Sequence, residues 1–348
     1  MRRLLVAGLV LGLILYGITQ IPIMNEHRAE KIVFKSEALQ GNKVGEEPMR
    51  DVLVYLPKDY QSSGKRYPVL YFLHGFGVDQ TDYYQMAIDH LMDSAIAQHV
   101  TLPFIVVVPD GSNQFKGSFY VNSEINGRWS DYIGHDLVQY IDANYRTIPS
   151  KDSRGICGHS MGGQGALRVA MLYPEVFGSI YAMSPSILNW GKDFYPGHPG
   201  FRNAIKAQNM ETLSEDNYAL AFVAMGRVFS AEENKRPFGV RLPVKVSKGH
   251  FSGDSMVIKQ WERYFVNNML QRYSEGLRHL NGLAIDWGRQ DSYLHIPSSC
   301  KELCRKLEMM QIPYQKEEYE GGHYDKIPGM NGRFYQKVIP FFSSHLAF

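Results

Sequence analysis

Cysteine is scarce: Cys157, Cys300 and Cys304 are all that 348 residues contain. Three cysteines are too few for a disulfide scaffold or a cysteine-based zinc site. An excess of one charge sign is also missing. Lys plus Arg number 37 against 35 Asp plus Glu, a net of +2, so the balance gives no sign of a nucleic-acid partner. The chain has no phosphate-binding P-loop, no G-x-G-x-x-G behind a strand and no H-E-x-x-H. No nucleotide, cofactor or catalytic metal is therefore expected. Internal repeats and low-complexity runs are absent too. With 44% hydrophobic and 21% charged residues the composition is globular, which excludes disorder, collagen and coiled coil as the main architecture.

A long apolar run stands at the start of the chain. Arg2 and Arg3 precede an uncharged stretch from Leu4 to Met24, long enough to span a bilayer. Gly17 and Thr19 match a signal-peptidase site weakly, no Ala-x-Ala is present, and no cysteine follows to suggest a lipoprotein. Residues 1–24 read as an uncleaved membrane anchor in preference to a cleaved signal peptide, with a buried core helix as the remaining alternative. Positive charge stays on the cytoplasmic side. The rest of the chain is thus expected outside the cytoplasm, membrane-anchored, or secreted or periplasmic after cleavage.

Residues 25–44 read as a linker and first strand, and 45–348 as one catalytic domain. Strands are expected at Lys31–Ser36, Asp51–Leu56, Val69–Leu73, Phe104–Val108, Gly155–Cys157, Ser179–Met183, Tyr218–Ala224, Leu283–Asp286 and Tyr314–Tyr319. Several are short apolar runs, the mark of strands buried on both faces of a parallel sheet. Helical patterns fall at Tyr83–Gln98, Tyr132–Tyr145, Gly163–Leu172, Val257–Tyr273, Ser298–Met310 and Asn331–His345. This alternation predicts a doubly wound, mostly parallel α/β sheet with helices on both faces. The stretch 185–255 breaks the rhythm and reads as an insertion over the sheet's C-terminal edge, where ligands bind in such folds. Its alternative is a solvated excursion.

The sharpest motif is Gly158-His159-Ser160-Met161-Gly162-Gly163. It follows an apolar strand and opens a helical pattern, the context that a G-x-S-x-G nucleophile elbow requires. The turn lifts the Ser160 hydroxyl above the sheet, and the Met161 N–H lies at the helix N-terminus, ready for an oxyanion. A serine hydroxyl needs a base at neutral pH. His323, in Glu320-Gly321-Gly322-His323 after the last strand, fits this role; His250, His279 and His295 are later rivals. The acid belongs after Leu283–Asp286. Asp291, in a loop, is favoured over Asp286, at the strand's edge. A second oxyanion donor is expected from His74-Gly75-Phe76-Gly77, with the Phe76 N–H favoured and Gly75 the alternative. His74 reads as a structural histidine bonded to backbone. Gly75, Trp129 and His159 are candidate substrate contacts, Trp129 as a cleft wall. Cys300 and Cys304 lie four apart on an expected helix, against good disulfide geometry, and Cys157 is expected to be buried.

The motifs Tyr71-Phe72-Leu73-His74-Gly75, Trp129-Ser130-Asp131-Tyr132, Ile141-Asp142-Ala143-Asn144-Tyr145-Arg146, the elbow, Tyr173-Pro174-Glu175-Val176-Phe177, Gly288–Asp291 and Gly321-Gly322-His323 resemble a known family. It is the esterase family of α/β-hydrolases that includes esterase D (S-formylglutathione hydrolase), feruloyl and acetylxylan esterases, enterochelin esterase and the mycolyltransferases. The resemblance covers roughly residues 45 to 345. It implies an α/β-hydrolase fold, a Ser160–His323–Asp291 triad and oxyanion N–H groups on Phe76 and Met161. The family mostly lacks a mobile cap, so the 185–255 segment is a departure from it. The expected activity is serine carboxylic-ester hydrolysis through an acyl-enzyme, on a small-molecule or polysaccharide ester such as an acetyl or feruloyl ester. Acyl transfer of the mycolyltransferase kind is the rival within enzymes. A non-catalytic surface-anchored binding module is the rival outside them.

Overall fold

The computed structural model describes residues 29–348. The expected anchor, residues 1–24, lies outside the described residues. Among the described residues no helix is long and apolar enough to cross a membrane.

Eight strands form the main sheet: β1 (Ala29–Lys35), β2 (Met49–Tyr55), β3 (Val69–Leu73), β4 (Ile105–Pro109), β5 (Arg154–His159), β6 (Ser179–Met183), β7 (Gly282–Gly288) and β8 (Gln315–Tyr319). Their spatial order is β1-β2-β4-β3-β5-β6-β7-β8. Every residue of β3, β4, β5 and β6 is buried, as expected for central strands covered on both faces. Only the β1–β2 and β2–β4 pairs are antiparallel. The linker region thus delivers its first strand to the same sheet as the catalytic domain.

The helices are α1 (Ile88–Ala97), α2 (Val138–Asn144), α3 (Met161–Leu172), α4 (Pro199–Lys206), α5 (Asn217–Phe229), α6 (Ser255–Glu262), α7 (Val266–Arg278), α8 (His295–Met309) and α9 (Ile339–His345). Residues of α1 and α9 pack with Leu70, Phe72 and Cys157 on one face of the sheet. Residues of α2, α3, α7 and α8 pack with Val69, Tyr71 and Ile156 on the other. The sheet is therefore wound on both sides, with Cys157 buried in the strand before the elbow.

Strand register matters most for function. Leu73 is paired with Gly158, His159 with Met183, and Met183 with Asp286. The carboxyl ends of β3, β5, β6 and β7 thus finish in line. The chain leaves that edge into 74–77, Ser160, 289–294 and, after β8, 320–324. Four segments far apart in sequence meet because parallel strands all end on the same side.

Four expectations need correction. Tyr218–Ala224 is not a strand but the first half of α5, whose N-terminus is capped by the Asp216 carboxylate accepting from the N–H groups of Tyr218 and Ala219 (2.8 and 3.1 Å). Its run of apolar residues suits a helix buried on most sides equally well. The Tyr83–Gln98 helix is two pieces, Asp82–Gln85 and α1, broken where Ala87 takes φ 53°. Val257–Tyr273 is likewise divided between α6 and α7. Tyr132–Tyr145 is helical but begins with a wider π turn over Tyr132–Leu137.

The insertion is not a solvated excursion. Phe194, Phe201, Phe222 and Trp261 belong to the same core as β3 and β5. Phe201 stacks on Phe222 with centroids 4.0 Å apart, and Trp190 stacks on Trp261 at 6.0 Å. The Trp261 N–H donates to the Ser230 hydroxyl at 2.7 Å. Such rings supply much apolar area per residue, and their polar edges are bonded, so the segment docks as a packed body.

Candidate active site

Ser160 sits between β5 and α3 with φ 57° and ψ −115°. A non-glycine residue in this region is strained, by about 1–3 kcal/mol, and persists only where its surroundings hold it. The Ser160 N–H donates to the Met183 carbonyl (2.9 Å), and its carbonyl accepts from Gln164 and Ser186 (3.1 Å each). Gly162 makes the tight turn possible. A Cβ there would lie 1.8 Å from the Leu73 carbonyl oxygen, and one on Gly158 would lie 2.4 Å from the Gly162 backbone. No side chain fits where strand and helix approach so closely.

The loops after β7 and β8 are stitched together. Arg289 N–H donates to the Tyr319 carbonyl (2.8 Å), Gln290 N–H to the Gly321 carbonyl (2.9 Å), and Gly321 N–H to the Gln290 side chain (2.7 Å). Gly288 permits this, since a Cβ on it would stand 2.4 Å from the Gly321 carbonyl oxygen. His323 and Asp291 meet across the junction, Nδ1 to Oδ2 at 2.7 Å, with side chains 1% and 0% exposed. The other Asp291 oxygen accepts the Tyr293 N–H at 2.8 Å. Nδ1 therefore carries the proton shared with the carboxylate, which leaves Nε2 as the basic nitrogen. Nε2 is buried without a hydrogen-bond partner among the described residues.

Asp286 is committed elsewhere. Its Oδ2 accepts from Arg333 Nε (2.7 Å) and the Tyr181 hydroxyl (2.8 Å), and Arg333 continues to Glu317 (2.9 Å). Of the two candidate acids, Asp291 is the one that His323 meets. His250 and His279 are exposed and lie in the insertion hairpin and behind α7.

His323 reaches the elbow through His159, whose Nε2–H donates to the His323 carbonyl at 2.8 Å; the two rings are 4.6 Å apart. Burial, with the nearby His323 charge second, pushes His159 down to about 3, so it is neutral. It borders the cavity, and its Nε2–H is spent on holding the His323 loop.

The loop after β3 closes the other side. A Cβ on Gly75 would stand 3.7 Å from that of Ser160. His74 is fully buried and bonded to backbone at both nitrogens: Gly111 N–H donates to Nε2 (2.8 Å), so Nδ1–H donates to the Gly75 carbonyl (2.8 Å). This is the structural role expected for it. The amides of Phe76 and Met161 donate to no group among the described residues. Phe76 borders the cavity, and Met161 opens α3 behind the Ser160 hydroxyl.

A cavity of about 570 Å³ opens at Ser160. Phe194, Leu220, Phe222 and Met225 of the insertion form its apolar side, and Tyr293, His295 and Tyr324 lie on its polar side. Asp82, also on the wall, has its carboxyl pushed up to about 6 by burial and by the charge of Asp79. Trp129 does not wall this cavity. It is wholly buried, donates its indole N–H to the Asn126 carbonyl (2.8 Å), and lies under the Arg50 guanidinium at 4.6 Å. An indole gains most by full burial with its N–H bonded, so that candidate belongs to the core. The apolar wall from α5 and the contribution of Tyr293 were not foreseen, because α5 reads as a strand and 185–255 carries no motif. Among the described residues no three His, Cys, Asp or Glu side chains cluster to hold a metal ion, and the three cysteines are free and buried.

An eight-stranded, mostly parallel sheet with a serine on its strand–helix turn and a His–Asp pair on its last two loops defines an α/β-hydrolase. The family model described as Putative esterase matches residues 46–245, more than half of the chain, and the chain belongs to that family. The Mycobacterium tuberculosis esterase Rv1288 is 38% identical over 141 residues, which is 40% of this chain and 29% of that protein. The mouse S-formylglutathione hydrolase is 31% identical over 176 residues, 42% of this chain and 57% of that protein. The chain thus spans well under two thirds of the length of these relatives. Among solved structures, a ferulic acid esterase superposes with a TM-score of 0.62 at 18% identity, covering 92% of this chain and 98% of that one. At that identity the likeness speaks for the fold.

Proposed function

We propose that the chain is a serine carboxylic-ester hydrolase working through an acyl-enzyme. The observation that carries the reading is the strained Ser160 lining a cavity, linked through His159 to a buried His323–Asp291 pair whose outer nitrogen has no hydrogen-bond partner among the described residues. In this reading His323 Nε2 takes the Ser160 proton as the hydroxyl oxygen attacks the ester carbonyl. Asp291 holds the imidazole in the right tautomer and stabilises the imidazolium. The amides of Phe76 and Met161 receive the oxyanion, a task that costs no reorganisation when donors are fixed in place. The protonated His323 then gives its proton to the leaving alcohol. Water, activated by the same imidazole, releases the acid from Ser160. Family membership supports ester chemistry, and the names of the mycobacterial, mouse and ferulic acid relatives are consistent with it.

Turnover of p-nitrophenyl acetate tests the reading. Ser160→Ala should lose on the order of 10⁶ in kcat, the cost of removing the nucleophile of a triad. Full activity in that variant would refute it. An extracytoplasmic substrate is part of the proposal on the strength of Arg2-Arg3 and the apolar Leu4–Met24 alone. A reporter enzyme active only outside the cytoplasm, fused behind residue 348, should be active; an inactive fusion would place the domain inside.

A further inference from the structure

A second imidazole–carboxylate pair lies at the cavity, which its histidine lines. His295, the first residue of α8, holds Asp193 of the insertion: Nδ1 to Oδ2 is 2.8 Å, and the same oxygen accepts the His295 backbone N–H at 2.9 Å. Both side chains are buried, 7% and 6% exposed. The Tyr218 hydroxyl lies against the same carboxylate. Burial raises the Asp193 carboxyl, but the His295 ring and backbone donors outweigh it and leave it lowered, hence ionised. A carboxylate at Nδ1 fixes the proton there, so Nε2 presents a lone pair. That nitrogen is buried and has no hydrogen-bond partner among the described residues, and the residue that carries it lines the cavity.

The place of the pair excludes it from the ester step. The Tyr293 ring contacts both imidazoles, 4.7 Å from His323 and 6.3 Å from His295, but only His323 is tied to the elbow, through His159. On one side of His295 the wall is apolar, with Phe194 edge-on at 5.1 Å and Phe222 and Met225 in the same lining. The location is also rigid: Gly191 passes so close that a Cβ there would fall 2.4 Å from that of His295. A fixed acceptor where the polar side of a cavity meets its apolar side is how a pocket selects a ligand that brings a donor to that point.

We propose that the His295–Asp193 pair is a specificity site that binds a hydroxyl of the substrate, carried on the acyl or alcohol part at a fixed distance from the scissile carbonyl. The substrate class is then a hydroxyl-bearing ester with an apolar spacer. This rests on Ser160 being the nucleophile. A ligand without the hydroxyl leaves the buried Nε2 unsatisfied and loses affinity for that reason.

The test compares isosteric esters. Methyl ω-hydroxyalkanoates against ω-methoxyalkanoates probe the acyl side, and ω-hydroxyalkyl acetates against ω-methoxyalkyl acetates probe the alcohol side, each with spacers of increasing length. The full chain should prefer the hydroxyl by about 10- to 100-fold in kcat/KM at one spacer length on one side. His295→Asn keeps an N–H for Asp193 but has no group at Nε2, and should bring the ratio to about one. His295→Gln, which can return an amide oxygen near that position, should restore part of it. A ratio near one at every length on both sides, or a preference that survives in His295→Asn, would overturn the proposal. Fluorophosphonate labelling of Ser160 in all three proteins separates this from the nucleophile reading. Labelling with no hydroxyl preference sinks the specificity site alone, and absence of labelling in the wild type sinks both.

Discussion

The two His–Asp pairs make an instructive contrast. His323–Asp291 and His295–Asp193 have nearly the same bond, 2.7 and 2.8 Å, nearly the same burial, and each leaves Nε2 without a partner among the described residues. They differ in their neighbours. His323 hangs from the β8 loop and its carbonyl is held by His159, the residue preceding a strained serine. His295 opens α8 and is held by a carboxylate from the insertion, among phenylalanines. A carboxylate-oriented imidazole is therefore a part with no fixed task. What stands at its free nitrogen decides whether it moves a proton or recognises a hydroxyl.

The sharpest way to break the comparison is to remove each carboxylate. Asp291→Asn should lower kcat for p-nitrophenyl acetate by about 10⁴, since the imidazole loses its tautomer and its counter-charge. Asp193→Asn should act on the hydroxyl-to-methoxy ratio instead. Equal losses of kcat in both variants would erase the distinction between the pairs.

Asp286 extends the comparison to a carboxylate without a histidine. It is buried against Arg333 and Tyr181. Asp286→Asn removes one partner of a buried ion pair and should cost about 3–5 kcal/mol of stability. Urea unfolding would show this, while the folded variant still labels with a fluorophosphonate. Stability unchanged with labelling lost would mean that Asp286, not Asp291, serves Ser160.

The sequence carried much of this. The elbow was legible because Gly158, Ser160 and Gly162 are dictated by a local clash, and local geometry writes itself into neighbouring residues. His323 and the Asp291 loop were legible from their order after the last strands. The choice of Asp291 over Asp286 is made by Arg333, which no spacing near either residue reveals. The His295–Asp193 pair was not legible: the two residues are 102 apart, and Asp193 lies in a segment without periodicity. The only signal was the nearness of His295 to the acid loop. The helix α5 was misread because Tyr218–Ala224 is apolar on every side, and periodicity vanishes when an element is buried all round. Trp129 was misread as a wall because aromatic residues serve cores and clefts alike.

The smallest expected effect concerns His159. Its folded value, about 3, lies below the ordinary 6.5. The unfolded chain therefore takes up a proton at His159 that the folded chain refuses. Its contribution is complete above about pH 6.5 and is lost as pH falls toward 3. Between pH 7 and pH 5 this amounts to about 2 kcal/mol. His74, also lowered by burial, adds in the same direction. Urea midpoints at the two pH values should converge by about that amount in His159→Gln; an unchanged slope would show that His159 is protonated in the folded protein.

The most direct test of the central claim is to treat the full chain with a fluorophosphonate and map the adduct by peptide mass spectrometry. The account predicts one adduct, on the peptide containing Ser160, slowed in Asp291→Asn and absent in Ser160→Ala. An adduct on another residue, or none, would contradict it.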